Sequence, residues 1–141
     1  MVSRSLLNQV CLLLVEDNPA HAEQIQRVLS LEVPEYQVIH LPDAEQALDM
    51  LVEAAGVEER AALPDLILLD IRLPRQDGHA LLRELQGHPA LRDIPVIMLS
   101  TSTAYLDVTG ALDRQAVDYL VKPFSAVHVD AIRRALESCN P

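Results

Sequence analysis

The chain has 141 residues, with 21 acidic against 11 basic side chains and a formal net charge of −10. Ten of the cations are arginine and only one, Lys122, is lysine; half of the residues are apolar but just 3% are aromatic. This describes one globular domain rather than a disordered chain, and one without the basic face that binding to nucleic acid or an anionic membrane requires.

Short apolar runs alternate with amphipathic stretches along the chain. The first run, Val10–Val15, is followed by Asn18-Pro19, which predicts an N-cap and a first-turn proline. Ala22, Ile25, Val28 and Leu29 then share one helical face. The second run, Val38–Leu41, contains His40 and follows the polar Tyr36-Gln37, so it fits a sheet edge. Asp43-Ala44-Glu45-Gln46 resembles a capping box ahead of the stripe Ala47, Leu48, Leu51 and Val52. Gly56–Pro64 is the longest expected loop. The third run is Leu66–Leu69, followed by a helix marked by Leu81, Leu82 and Leu85 that ends near Gly87. The fourth run, Val96–Leu99, precedes a weaker helix at Tyr105–Leu112, where Val108, Thr109 and Gly110 have poor propensity. The fifth run, Tyr119–Val121, leads to a last helix capped by Ser125, with Val129, Ile132 and Leu136 on one side. Runs of this length, rich in Val, Ile and Leu and separated by helices, predict an α/β domain with a buried parallel sheet.

Cys11 and Cys139 lack metal-like or disulfide-framework spacing and read as a buried thiol and a tail thiol in a reducing compartment. No apolar stretch reaches the length of a membrane span and the first residues carry no signal-peptide pattern, so the cytoplasm is the expected location. His21, His79, His88 and His128 have no mutual metal spacing and are expected to serve surface or capping roles. Arg133-Arg134 reads as a solvated helix end.

In an open parallel sheet, ligands bind beyond the carboxyl ends of the strands. The runs end in Glu16-Asp17, Asp70, Ser100-Thr101 and Lys122-Pro123. Three carboxylates, two hydroxyls and the only lysine are thereby placed at one edge. Carboxylates held together repel, and a hard divalent cation such as Mg²⁺ is the natural counter-charge. A lysine adds a point charge able to reach a phosphate.

These residues carry a family resemblance. Leu13-Leu14-Val15-Glu16-Asp17-Asn18, Asp65 to Pro74, Asp77-Gly78, Pro95 to Ser100 and Tyr119-Leu120-Val121-Lys122-Pro123-Phe124 occur in the order seen in receiver domains of bacterial two-component response regulators, which the chain resembles over nearly its whole length. The resemblance implies a flavodoxin-like (βα)5 fold, doubly wound, with strand order 2-1-3-4-5. It implies that Asp70 accepts a phosphoryl group from a histidine kinase. Glu16, Asp17, Asp70 and the backbone carbonyl of Arg72 would bind Mg²⁺. Ser100 and Lys122 would contact the phosphoryl group, with Thr101 beside them, and Tyr119 would be the aromatic coupled to Ser100. The Lys122–Pro123 peptide is commonly cis in the family. Arg72 and Ser102 occupy positions that tune dephosphorylation.

Some positions depart from the commonest pattern. Ser100 replaces threonine, Thr101 stands where alanine is common and narrows access to Asp70, and Gln115 replaces a frequent glycine. Two other classes fit less well. A haloacid-dehalogenase-type phosphatase needs a second Asp two residues after the nucleophile, where this chain has Arg72. A flavodoxin-like cofactor carrier needs a hydroxyl- and Gly-rich phosphate loop where this chain has Glu16-Asp17. The remaining alternative is a receiver-like interaction module that is not phosphorylated.

The last predicted helix ends close to Pro141. The expectation is a single receiver domain over residues 1–141 with no output domain, a stand-alone signalling phosphoacceptor rather than an enzyme. Its output face would be the fourth and fifth helices with the fifth strand, meeting a downstream protein or a phosphotransfer protein. A homodimer is a further expected assembly. Gly87 to Pro95, with Ser100-Thr101-Ser102, resembles single-domain regulators paired with phytochrome-type kinases.

Overall fold

The computed structural model describes residues 9–56, 63–73, 77–101 and 116–138. The elements are β1 (Cys11–Val15), α1 (Pro19–Glu32), β2 (Gln37–Leu41), α2 (Ala44–Ala55), β3 (Leu66–Asp70), α3 (Gly78–Gln86), β4 (Val96–Ser100), β5 (Asp118–Val121) and α4 (Ala126–Ser138). The five strands form one parallel sheet in the order β2-β1-β3-β4-β5. The expected Tyr105–Leu112 helix, Ser102, Gln115, Cys139 and most of the Gly56–Pro64 loop lie outside the described residues.

The three inner strands are buried along their whole length, which explains their unbroken apolar runs. Successive side chains serve opposite faces. Leu12, Leu14, Leu66, Leu68, Ile97 and Leu99 pack with α1 and α4, through Ile25, Leu29 and Ile132, and with Phe124 just ahead of α4. Leu13, Val15, Ile67, Leu69, Val96 and Met98 pack with α2 and α3, through Leu51, Leu81, Leu82 and Leu85. β2 is only partly buried and lies at one edge, as its polar entry implies; β5 forms the other.

The helices begin where the sequence signals them. Asn18 Oδ1 accepts from the Ala20 and His21 N–H groups, with Pro19 opening α1. Asp43 accepts from Gln46 N–H at 2.8 Å, but the Gln46 side chain turns back onto the Asp43 carboxylate instead of closing the box on its backbone. At α4 the Ser125 N–H donates to His128 Nδ1 at 3.2 Å, which gives His128 the capping role expected of it. Asp77 caps α3 through Ala80 N–H.

Gly78 has a separate reason for its place in the Asp77-Gly78 pair. Its N–H donates to the Ile71 carbonyl at 2.7 Å, and a Cβ there would stand 2.4 Å from the Asp70 carbonyl oxygen and 3.0 Å from Ile71 Cα. The start of α3 thus rests on the backbone that carries Asp70, a contact only glycine permits. Gly78→Ala is expected to destabilise the fold by about 1–3 kcal/mol, the range for forced overpacking. A urea midpoint equal to wild type would contradict the close approach.

The histidines depart from expectation at two positions. His79 is buried, 6% exposed, with its ring 6.2 Å from that of Tyr119. It fills the second core beside the apolar stripe of α3 and has no surface role. His21 enters the strand-end cluster described below. Cys11 is buried, as its apolar run predicts.

Candidate phosphoacceptor and metal site

β1, β3, β4 and β5 all end at the same sheet edge. The parallel registers Val15↔Leu69, Asp70↔Leu99 and Ser100↔Val121 bring Glu16-Asp17, Asp70, Ser100 and Lys122 together there. They surround a cavity of about 210 Å³ lined by Glu16, Asp17, Asp70, Ser100, Thr101 and Lys122, with Asn18, His21, Ile71 and Arg72 completing it. Tyr119 sits one position before Leu120 on β5, in the core shared with α2 and α3, and does not line the cavity. By strand alternation it shares a sheet face with Val121, whose partner is Ser100.

Each member is held from its backbone outward. The Glu16 N–H donates to the Leu41 carbonyl, and His40 Nε2 donates to the Glu16 carbonyl at 2.7 Å. Glu16 is fully buried; its Oε2 accepts from the Asn18 N–H at 3.1 Å and its Oε1 pairs with Lys122 Nζ. Asp70 Oδ1 accepts from the Arg72 N–H at 3.3 Å and lies 3.5 Å from Lys122 Nζ. Lys122 also meets His21 Nδ1 at 3.1 Å, and its peptide bond to Pro123 is cis. Ser100 is buried at the end of β4, while Asp17, Arg72 and Thr101 are exposed at the rim. Thr101 therefore stands at the opening, where a side chain larger than alanine occupies space.

Burial pushes the Asp70 carboxyl up from 3.8 to about 7, and the neighbouring Glu16 charge adds to the rise; Lys122 opposes it. One ammonium faces three carboxylates, so the cluster is short of positive charge. Glu16, Asp17 and Asp70 each offer an oxygen, all within 4.8 Å of one another. A set made only of hard oxygen donors, open to solvent on the Asp17 side, fits Mg²⁺ or Mn²⁺ rather than a soft metal.

Two site residues carry no local signal of their role. His21 belongs to the first turn of a helix that starts straight after the acidic pair, and that placement is the clue it offered. Asn18 reads as a cap, yet its N–H also fixes Glu16.

The comparisons with known proteins agree with this geometry. The response regulator receiver domain model matches residues 12–134. Response regulator Rcp1 of Synechocystis sp. is 37% identical over 111 residues, covering 79% of this chain and 75% of that protein. The solved structure of the phosphorylated cyanobacterial phytochrome response regulator RcpA superposes with a TM-score of 0.69 at 32% identity, over 92% of each chain. The receiver domain of sensor histidine kinase PA1611 from Pseudomonas aeruginosa, solved with a magnesium ion coordinated in its active-site cleft, gives 0.73 at 32% identity, over 92% of this chain and 98% of that one. With the model spanning both cores and every strand end of the cavity, this chain belongs to the response regulator receiver domain family.

Proposed function

We propose that the chain is a stand-alone response regulator that accepts a phosphoryl group on Asp70 from a phosphohistidine of a histidine kinase. Receiver domains are phosphoacceptor signalling modules rather than conventional enzymes. The observation that carries this reading is the single cavity where Asp70, the other two carboxylates, Ser100 and Lys122 converge. An Asp70 carboxylate oxygen attacks phosphorus, the N–P bond breaks and the imidazole leaves with the bond electrons. The product is an acyl phosphate on Asp70.

Glu16, Asp17, Asp70 and the Arg72 carbonyl would hold Mg²⁺, which when bound supplies charge neutralisation for the transferring group. Before transfer, the buried Glu16–Lys122 pair keeps the lysine beside Asp70. Lys122 then donates to a phosphoryl oxygen, and the Ser100 hydroxyl donates to another. Tyr119 couples the movement of Ser100 to the face made by the fourth and fifth predicted helices and β5. That face meets a downstream protein, a phosphotransfer protein or a second copy of the chain. The likeness to RcpA, a phytochrome response regulator, supports a phytochrome-type kinase as partner. Among the described residues no helix is long and apolar enough to cross a membrane, and the reading places the protein in the cytoplasm.

Incubation with acetyl phosphate and Mg²⁺ followed by intact-mass measurement tests the reading. One added phosphoryl group is expected, lost in Asp70→Asn and lost with chelator. An unlabelled wild type would leave the chain as an interaction module that is not regulated by phosphorylation. Arg72 and Ser102 are proposed to tune the phosphoryl lifetime. Arg72 is exposed on the cavity rim, where its guanidinium reaches the phosphoryl group and alters water attack. Arg72→Ala is expected to change the lifetime several-fold, and an unchanged decay curve would reject this role.

A further inference from the structure

Lys122 Nζ carries three protons and meets three acceptors: Glu16 Oε1, Asp70 Oδ1 at 3.5 Å and His21 Nδ1 at 3.1 Å. The third is a ring nitrogen and the other two are carboxylate oxygens. An ammonium only donates, so His21 Nδ1 accepts, and the imidazole proton resides on Nε2. The His21 backbone is fixed by its N–H bond to Asn18 Oδ1 at 3.1 Å. One turn later, Gln24 Nε2 donates to the Phe124 carbonyl, two residues beyond Lys122. Helix α1 therefore grips the Lys122 segment twice, once at the ammonium and once at the backbone.

We propose that His21 is a positioning residue for phosphoryl transfer: its Nδ1 accepts a hydrogen bond from Lys122 and aims the ammonium, so that the N–H nearest Asp70 Oδ1 can turn to an incoming phosphoryl oxygen. This deepens the phosphoacceptor reading and rests on it. The physical reason lies in what each acceptor does to the lysine. The two carboxylates compete for the ammonium and draw it toward themselves. The imidazole nitrogen accepts a hydrogen bond from it without adding a negative charge. His21 lines the phosphoacceptor cavity and also the neighbouring one bounded by Gln24, Thr101, Lys122 and Pro123, so both it and Lys122 border the two spaces. Without that acceptor, Lys122 folds onto Glu16 and Asp70, and its charge is spent on the ground state.

The test uses two substitutions of one side chain. His21→Leu keeps the bulk and removes the acceptor. His21→Asn puts an amide oxygen near the place of Nδ1. The phosphorylation rate constant with acetyl phosphate and Mg²⁺ is expected to fall about tenfold in His21→Leu, corresponding to one charge-assisted hydrogen bond, and to return most of the way in His21→Asn. Equal rates in wild type and His21→Leu, or equal loss in both variants, would overturn the proposal.

A second readout does not depend on phosphorylation. Lys122 is the only lysine, so protein labelled with ¹³C,¹⁵N-lysine gives a single lysine side-chain signal. That signal is expected to shift in His21→Leu and to recover in His21→Asn, even if acetyl phosphate labels no form of the protein. Failure of labelling with a responsive lysine signal would refute the phosphoacceptor reading alone. A lysine signal indifferent to both substitutions would refute the role of His21 alone.

Discussion

Replacing Lys122 by methionine is expected to destabilise the protein by about 3–5 kcal/mol near pH 8, the usual cost of breaking a buried ion pair from one side. The Lys122 side chain is 7% exposed and that of Glu16 not at all, so the carboxylate left behind has no water to turn to. Asn18 N–H remains as a donor to Oε2, but Oε1 loses its partner. The neighbouring Asp70 makes the site worse, because a second carboxyl then faces an uncompensated first. Pairing the change with Glu16→Gln should recover much of the loss, since a neutral amide costs far less to bury than a lone carboxylate. Urea midpoints of the two variants check this, and a single variant as stable as wild type would refute the stabilising role of the Glu16–Lys122 pair. Phosphorylation should suffer independently of stability. Loss of a donor to the developing phosphoryl charge is expected to lower the rate constant about a hundredfold or more, measured well below the unfolding midpoint.

The second large effect concerns Asp70 and pH. In the metal-free protein its carboxyl is pushed up to about 7, chiefly by burial and then by Glu16. Between about pH 4 and 7 the folded protein therefore holds a proton that the unfolded chain has released. The stability linked to this group is fully present below its unfolded value and declines as pH rises through 7. Asp70→Asn has no such proton to lose. The variant should match wild type at pH 4 and exceed it above pH 8 by on the order of 1–3 kcal/mol, the span of ordinary single-residue effects. Added Mg²⁺ should narrow the gap at high pH, because a bound cation stabilises only the folded state that holds it. Denaturation at pH 4, 6 and 8.5 with chelator gives the comparison; a gap that does not widen with pH would refute the raised carboxyl.

The two predictions depend on contacts across more than 50 and 100 residues, and this separates what the sequence made legible from what it did not. The inner strands were legible because burial on both faces leaves an unbroken apolar run. The edge strands were read one residue short, since Gln37 and Asp118 join their strands by pairing with Cys11 and Ile97, not by being apolar. Likewise β4 takes in Ser100, whose polar side chain conceals a regular backbone. Strand-end chemistry was legible for Glu16, Asp17, Asp70, Ser100 and Lys122, because parallel order puts every such end at one edge. The roles of the histidines were not. Helical periodicity tells which face a residue shares, but not what stands opposite, and His21 meets a lysine 101 residues away. His79 lies next to the apolar stripe of α3 without matching its chemistry, and its burial beside the Tyr119 ring shows that the position is interior. Gly78 was visible as part of a motif, while its steric reason required the Asp70 backbone.

The burial of the one lysine also sets how the protein meets amine-directed reagents. An acylating label or an amine crosslinker finds, apart from any α-amino group, a single target that is 7% exposed and engaged by Glu16, Asp70 and His21. Modification at Lys122 must wait for the site to open, so its rate measures opening of that ion network rather than surface reactivity. Enzymatic acetylation of lysine meets the same obstacle. The side chain that concentrates the positive charge of the site is also the side chain that the fold conceals from covalent chemistry.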